Sequence, residues 1–198
     1  MAFRPSVSLR DKVRKAYSAV SKKPHKTHAF PVGRTFAEIL GYPQELLASL
    51  PNISIEAFTG VSNVSLFSNI PEGVAVLDLG CGAGFDSLIA SRRVGPAGRV
   101  FGVDFSFPML TRARRGAIEA AIENVVFCQA NAEELPLKDS SVEIALVNGI
   151  FNLNPARDDI FRELARVVQP NGSVYVAELI LSKPAPPEVR ASESDWFA

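Results

Sequence analysis

The chain has 198 residues, 47% of them hydrophobic, and a formal net charge of zero. That supports one globular domain with a full core and a small appendage. No apolar run reaches the roughly 18–20 residues that span a bilayer, so a membrane-spanning helix is excluded and no membrane partner is expected. Residues 1–28 carry eight Lys or Arg against a single acid, +7, which leaves −7 on the remainder. Such an arm can steer an anion. It lacks interleaved aromatics for base stacking, so a solvated helix face on an acidic body is expected and nucleic acid is not. Within the arm, Ser8-Leu-Arg-Asp11 reads as a capping box, with Leu9, Val13, Tyr17 and Val20 at helical spacing. A loop follows through Pro24 and Pro31. Thr35-Phe-Ala-Glu38 reads as a second capping box, opening a short helix that ends near Gly41. Pro43 starts another helix, closed by Pro51. Residues 1–65 are thus expected to form a helical cap, and residues 66–198 an α/β core.

In the core, Val74–Leu79 is a short β-branched run bounded by Gly73, as a buried parallel strand should be. A helix from about Gly84 to Val94 follows. Strand two is Arg99–Asp104, and a helix starting at Ser106 carries Met109, Leu110, Ala113, Ala117 and Ile118. Strands three and four are Val125–Gln129 and Val142–Val147. Asn154-Pro155 is expected to cap the next helix, with Asp158 and Asp159 complementing its dipole. Strand five is Ser173–Leu181. The pattern is a doubly wound, mainly parallel sheet, short at its C-terminal side, and five strands would leave strand five as an apolar edge. Pairing of such edges makes a homodimer an expected assembly. Cys81 and Cys128 fit a reduced cytoplasm, where the protein is expected, and Met1-Ala-Phe-Arg-Pro-Ser carries no signal-peptide apolar region. Two histidines, His25 and His28, are too few for a metal site, and none is expected.

Chemistry concentrates where the strands end. Strand one closes on Asp78 and breaks into Gly80, Gly82 and Gly84, which permit a tight turn and close approach of a ligand to the backbone. The helix that follows aims free N–H groups and its positive dipole end at the same crevice. A pyrophosphate has no use for the carboxylate of Asp78; a ligand carrying an ammonium and a sulfonium does. Asp104 lies 24 residues after Gly80, near the spacing at which an acid accepts from both ribose hydroxyls. Phe105 and Phe107 can cover an adenine face. Asn131-Ala132-Glu133 follows strand three, and loops at the carboxyl ends of adjacent parallel strands meet in one crevice.

This set resembles the class I S-adenosylmethionine-dependent methyltransferases, a Rossmann-like fold. Asp78-Leu79-Gly80-Cys81-Gly82-Ala83-Gly84 matches that family's glycine motif, Asp104 its ribose acid and Asn131-Ala132-Glu133 its adenine loop. Phe161–Gly172 is similar to the helix before its fifth strand, so the matches span about residues 72–182. The resemblance implies S-adenosylmethionine, or its product S-adenosylhomocysteine, as cofactor. It implies binding by Asp78, Gly80, Cys81, Gly82, Gly84, Asp104, Phe105, Met109, Asn131, Ala132 and Glu133. No catalytic residue is assigned, because in-line methyl transfer to a nucleophilic acceptor needs positioning rather than an obligatory acid or base.

Phe30-Pro-Val-Gly33, Leu40-Gly-Tyr-Pro43, Phe58–Asn63 and Asn148–Leu153 resemble the arsenite methyltransferase family within that class. The resemblance implies a small-molecule or metalloid acceptor, with Tyr17 and Asn148 at the methionine end of the cofactor or at the acceptor. Arsenite methyltransferases hold trivalent arsenic through soft thiolates. Here Val61 and Gly149 stand where two of the usual cysteines fall. Ser194-Asp-Trp-Phe-Ala198 is similar to the approach to a third, which would fall immediately after Ala198. The native product is therefore expected to continue, with a selenocysteine codon as a candidate for that position. Rival readings are a methyltransferase of quinone- or lipid-like acceptors and a non-catalytic cofactor-binding module. A nicotinamide dehydrogenase is disfavoured by Asp78 and by the Gly-x-Gly-x-Gly spacing.

Overall fold

The computed structural model describes residues 6–180. Five helices come first: α1 (Ser6–Lys22), α2 (Arg34–Ile39), α3 (Gln44–Ser49), α4 (Asn52–Ile55) and α5 (Val64–Phe67). The alternating part follows as β1 (Ala75–Leu79), α6 (Phe85–Val94), β2 (Arg99–Asp104), α7 (Phe107–Glu119), β3 (Val125–Gln129), β4 (Val142–Asn148), α8 (Arg157–Val167) and β5 (Val168–Ala177). All strand pairs are parallel, in the order β3-β2-β1-β4-β5. This is a doubly wound parallel sheet, as the alternating sequence pattern leads one to expect.

Alternation along the strands divides the core. Val76, Val100, Ile144 and Leu146 pack with Ala90 and Val94 of α6 on one face. Leu77, Leu79, Val103, Ala145 and Val147 pack with Ile160, Leu164 and Val167 of α8 on the other. The first helices join the α6–α7 side, where Leu47, Phe58, Phe85, Leu88 and Leu110 share one cluster. Arg112 of α7 fastens them: it donates to the carbonyls of Ser21 (2.8 Å) and Ile53 (2.9 Å) and pairs with Glu56 at 2.8 Å.

Several expected boundaries shift. α1 begins at Ser6, so Ser8 lies inside it rather than at its cap. α2 begins at Arg34 with Gly33 as N-cap at φ 89°, so Thr35 is already helical and the Thr35–Glu38 capping box does not form. Ala156 rather than Asn154 is the N-cap of α8; Asn154 instead accepts the Ala156 N–H at 2.9 Å in a local turn. β5 starts five residues before the expected Ser173 and ends at Ala177. Its pairing with β4 slips between Val142 and Ile144 around Asn171, which sits at φ 67°. Asparagine tolerates this left-handed conformation. Leu181 and the Ser194–Ala198 stretch lie outside the described residues.

Candidate active site

A cleft of about 1080 Å³, open space at its mouth included, lies at the carboxyl ends of β1, β2, β3 and β4. Register places it there. Leu79 pairs level with Val103 on one side and Val147 on the other, and Asp104 pairs level with Gln129. The chains leaving these strands therefore diverge at one height and open a crevice between them.

The sheet side of the cleft is the glycine turn. Gly80, Gly82 and Gly84 have φ of 79°, 52° and 79°. A Cβ on Gly80 would also lie 2.3 Å from Ile150 Cγ2, so the turn demands glycine on two counts. The N–H groups of Gly80 and Cys81 donate to the Val103 carbonyl at 2.8 and 3.0 Å, stitching the turn to β2. Asp104 is buried and accepts from Gly82 N (2.9 Å) and Ser106 N (2.7 Å). Burial pushes its carboxyl up to about 6, against those two backbone donors. Asp78 accepts the Ser87 hydroxyl at 2.5 Å. Burial first, and the neighbouring Asp86 charge second, push it up to about 8.

The other side is built by α1 and the segment before α5. Val13, Arg14 and Tyr17 from α1 line it, with Phe58, Thr59 and Gly60. Tyr17 stacks on Phe30 at 5.1 Å, and burial raises its hydroxyl pKa well above the usual tyrosine value. Arg14 lies over the Phe105 ring at 5.7 Å. Asn148 joins the two sides. Its carbonyl oxygen accepts from Val61 N (2.8 Å) and Ser62 N (3.2 Å), while its amide donates to Ser62 O (2.8 Å) and Asp86 Oδ2 (2.9 Å). That uses the full capacity of a side-chain amide.

Of the residues expected from the sequence, Asp78, Gly80, Cys81, Gly82, Asp104, Phe105, Asn131, Ala132, Glu133, Asn148 and Tyr17 line this one cleft. Gly84 and Met109 stand behind it: Gly84 is the N-cap of α6, and Met109 is fully buried with Val20, Ala57 and Ala83. Asp86, Arg14, Thr59 and Ile150 also line the cleft and were not expected. Asp86 lies in the first turn of α6, where an acid reads as a dipole complement. Its position directly after the glycine motif was the available signal.

Charge in the cleft is one-sided. Asp78, Asp86, Asp104 and Glu133 face it against a single basic side chain among the described residues, Arg14. Such a cleft attracts a cation, and Asp104 retains lone pairs for a diol beyond its two backbone donors. Among the described residues no cluster of three His, Cys, Asp or Glu could hold a metal ion, and no helix is long and apolar enough to cross a membrane.

Residues 70–197 match the family described as a methyltransferase domain. The chain is 35% identical over 154 residues to an arsenite methyltransferase of Halobacterium salinarum, covering 78% of this chain and 39% of that protein. It is 36% identical over 106 residues to a demethylmenaquinone methyltransferase of Lactococcus lactis, covering 54% of this chain and 42% of that one. Among solved structures, an arsenic(III) S-adenosylmethionine methyltransferase of Chlamydomonas reinhardtii superposes with a TM-score of 0.62 at 28% identity, over 81% of this chain and 54% of the other. The chain spans about two-fifths of the length of these two curated relatives.

Proposed function

The chain belongs to the methyltransferase-domain family, and on that footing we propose that it transfers a methyl group from S-adenosylmethionine to a small-molecule acceptor. The observation that carries this is the meeting of Asp78, Asp104 and Asn131–Glu133 on one cleft with the glycine turn. The donor set fits the cofactor's chemistry. Carboxylates suit a ligand bearing an ammonium and a sulfonium, and Asp104 suits the ribose diol. The Gly80–Gly82 backbone suits close approach, and Phe105 with Asn131 suits the adenine. When bound, the cofactor would supply an electrophilic methyl open to in-line attack by an acceptor electron pair, with the neutral thioether as leaving group. The protein's part is to hold the acceptor about 3–3.5 Å from that methyl and to keep water out. Tyr17, Phe58, Thr59, Ile150 and Leu153 are the residues proposed for acceptor positioning.

A metalloid acceptor would have to bring its own soft ligands. Val61 and Gly149 do converge, since a Cβ on Gly149 would lie 2.9 Å from Val61 Cγ1. Neither offers sulfur, and Cys81 is tucked into the glycine turn. The largely apolar acceptor side favours a second reading, a flat quinone-like acceptor, in keeping with the demethylmenaquinone methyltransferase among the relatives. Radiolabelled methyl transfer to arsenite, to a thiol-conjugated arsenite and to a demethylated quinone separates the two. Cofactor binding with no transfer to any acceptor would leave a non-catalytic binding module and overturn the enzymatic reading.

A further inference from the structure

Glu178 falls inside the expected fifth strand, where an acid between apolar residues reads as the solvent side of an alternation. β5 ends one residue earlier, at Ala177, which pairs level with Asn148 at the end of β4. The Gly149 N–H donates to the Ala177 carbonyl at 2.9 Å, so the chain leaves the two strands side by side. The half-buried Glu178 carboxylate thereby meets the loop that follows β4. One oxygen accepts the Phe151 N–H at 2.7 Å and the Asn152 N–H at 3.3 Å. The other accepts the Asn152 side-chain amide at 3.1 Å and the Leu179 N–H at 3.0 Å. Four donors match the four lone-pair sites of a carboxylate. Phe151–Leu153 forms a single helical turn, and Ile150 before it has no capping side chain. The free N–H groups of that turn therefore depend on Glu178.

The loop held in this way reaches across the cleft. Ile150 and Leu153 line it. Ile150 lies against the glycine turn, its Cγ2 2.3 Å from any Cβ added to Gly80. At the far end the Asn154 amide donates to Glu133, in the loop after β3, at 3.0 Å. Phe151 anchors the middle: it is buried and stacked on Phe161 at 4.6 Å, and its carbonyl accepts from Arg157 at 2.7 Å. α1 packs over the same turn.

Resting on the S-adenosylmethionine reading, we propose that Glu178 is a positioning residue for the cofactor. Its carboxylate fixes the 150–154 loop between the glycine turn and the Asn131–Glu133 loop, and so sets the width of the cleft. Glu178 does not itself line the cleft, so it acts through the loop.

The test is calorimetric titration of S-adenosylhomocysteine into the full chain, wild type and Glu178→Gln, beside thermal melts of both. Glutamine keeps the shape but not the acceptor set: whichever way its amide turns, its own donors face donors. Asn152 cannot flip to receive them. Its amide also donates to the Leu179 carbonyl at 2.5 Å, and its oxygen accepts from Arg157 at 3.2 Å. Affinity is expected to fall about tenfold at a temperature well below the melt. A merely structural role would lower the melting temperature and leave the affinity of the folded protein unchanged, and that result overturns the proposal while the cofactor reading stands. Asn154→Ser tests the route, since serine can still accept the Ala156 N–H but is too short for Glu133. Added to Glu178→Gln it should cost little more, whereas additive losses overturn the loop as the link. Should Glu178→Gln not fold, Asn152→Ala removes one donor from the carboxylate without a clash and predicts a smaller loss in the same direction. Unchanged affinity there overturns the proposal as well. Wild-type protein that binds no S-adenosylhomocysteine overturns the cofactor reading and the role of Glu178 with it.

Discussion

The two sides of the cleft are made differently. One consists of strand ends and a glycine turn, fixed by backbone hydrogen bonds to β2 and crowded with carboxylates. The other consists of α1 and the irregular segment 57–62, fixed by side chains, chiefly Asn148 and Arg112. The first is rigid and charged; the second is apolar and hangs on a few contacts. In a protein so built the second side can be rewritten without touching the sheet.

The largest effect is expected from Gly80→Val. At φ 79° and with Ile150 Cγ2 2.3 Å from any added Cβ, the turn must deform. Cofactor affinity should drop by about 3 kcal/mol or more, read by calorimetry; near-native affinity would mean the turn is not the cofactor side. The second expectation is a pH effect seated on the same side. Asp104 and Asp78 have folded values raised to about 6 and about 8 from 3.8. The folded state thus holds their protons more tightly than the unfolded chain. Their contribution to stability is full below about pH 4 and is lost as pH rises through about 6 and then about 8. Glu163, lowered by Arg166, works in the opposite sense in the acid range. Asp104 alone corresponds to about 2–3 kcal/mol. Thermal melts of the ligand-free protein from pH 5 to 8.5 should fall, and a flat series would contradict the burial of these acids.

Asn148→Ala addresses the other side. It strips partners from Val61 N, Ser62 N, Ser62 O and Asp86, and should cost about 2 kcal/mol of stability. Once an acceptor is in hand, KM for it should rise more than the cofactor Kd does. Equal changes in both would dissolve the distinction between the two sides. Asp104→Asn should weaken cofactor binding by about 1–2 kcal/mol without altering the acceptor KM. The smallest effect belongs to Arg14→Ala. Loss of its contact with Phe105 is worth about 0.5–1 kcal/mol and should appear as faster cofactor dissociation in stopped-flow fluorescence.

What could be read from the sequence follows the same division. The β1 turn, Asp104 and Asn131–Glu133 were readable because a short apolar run ending in an acid and glycines has few other structural uses. The wall made by α1 and 57–62 was largely hidden. Phe58, Thr59 and Gly60 lie on irregular backbone with no periodicity, and their approach to β4 depends on one amide 86 or 87 residues away in sequence. Asp86 was missed because an acid in a first helical turn already has a local electrostatic explanation. The Thr35 capping box failed because Gly33, two residues earlier, takes the N-cap with a backbone conformation that threonine avoids. Asn148, expected at the cofactor or acceptor, lines the cleft with its amide hydrogen-bonded to Val61, Ser62 and Asp86.

The place of β1 in the sheet has a consequence for how the molecule opens. It is the middle strand, with Asp78 level with Gly102 of β2 on one side and Leu146 of β4 on the other. Its amides should be among the last to exchange with deuterium, since exposing them requires separating the sheet at its centre. Release of the 57–62 segment needs no such separation. The wall made by 57–62 can therefore open many times while β1 stays closed to solvent.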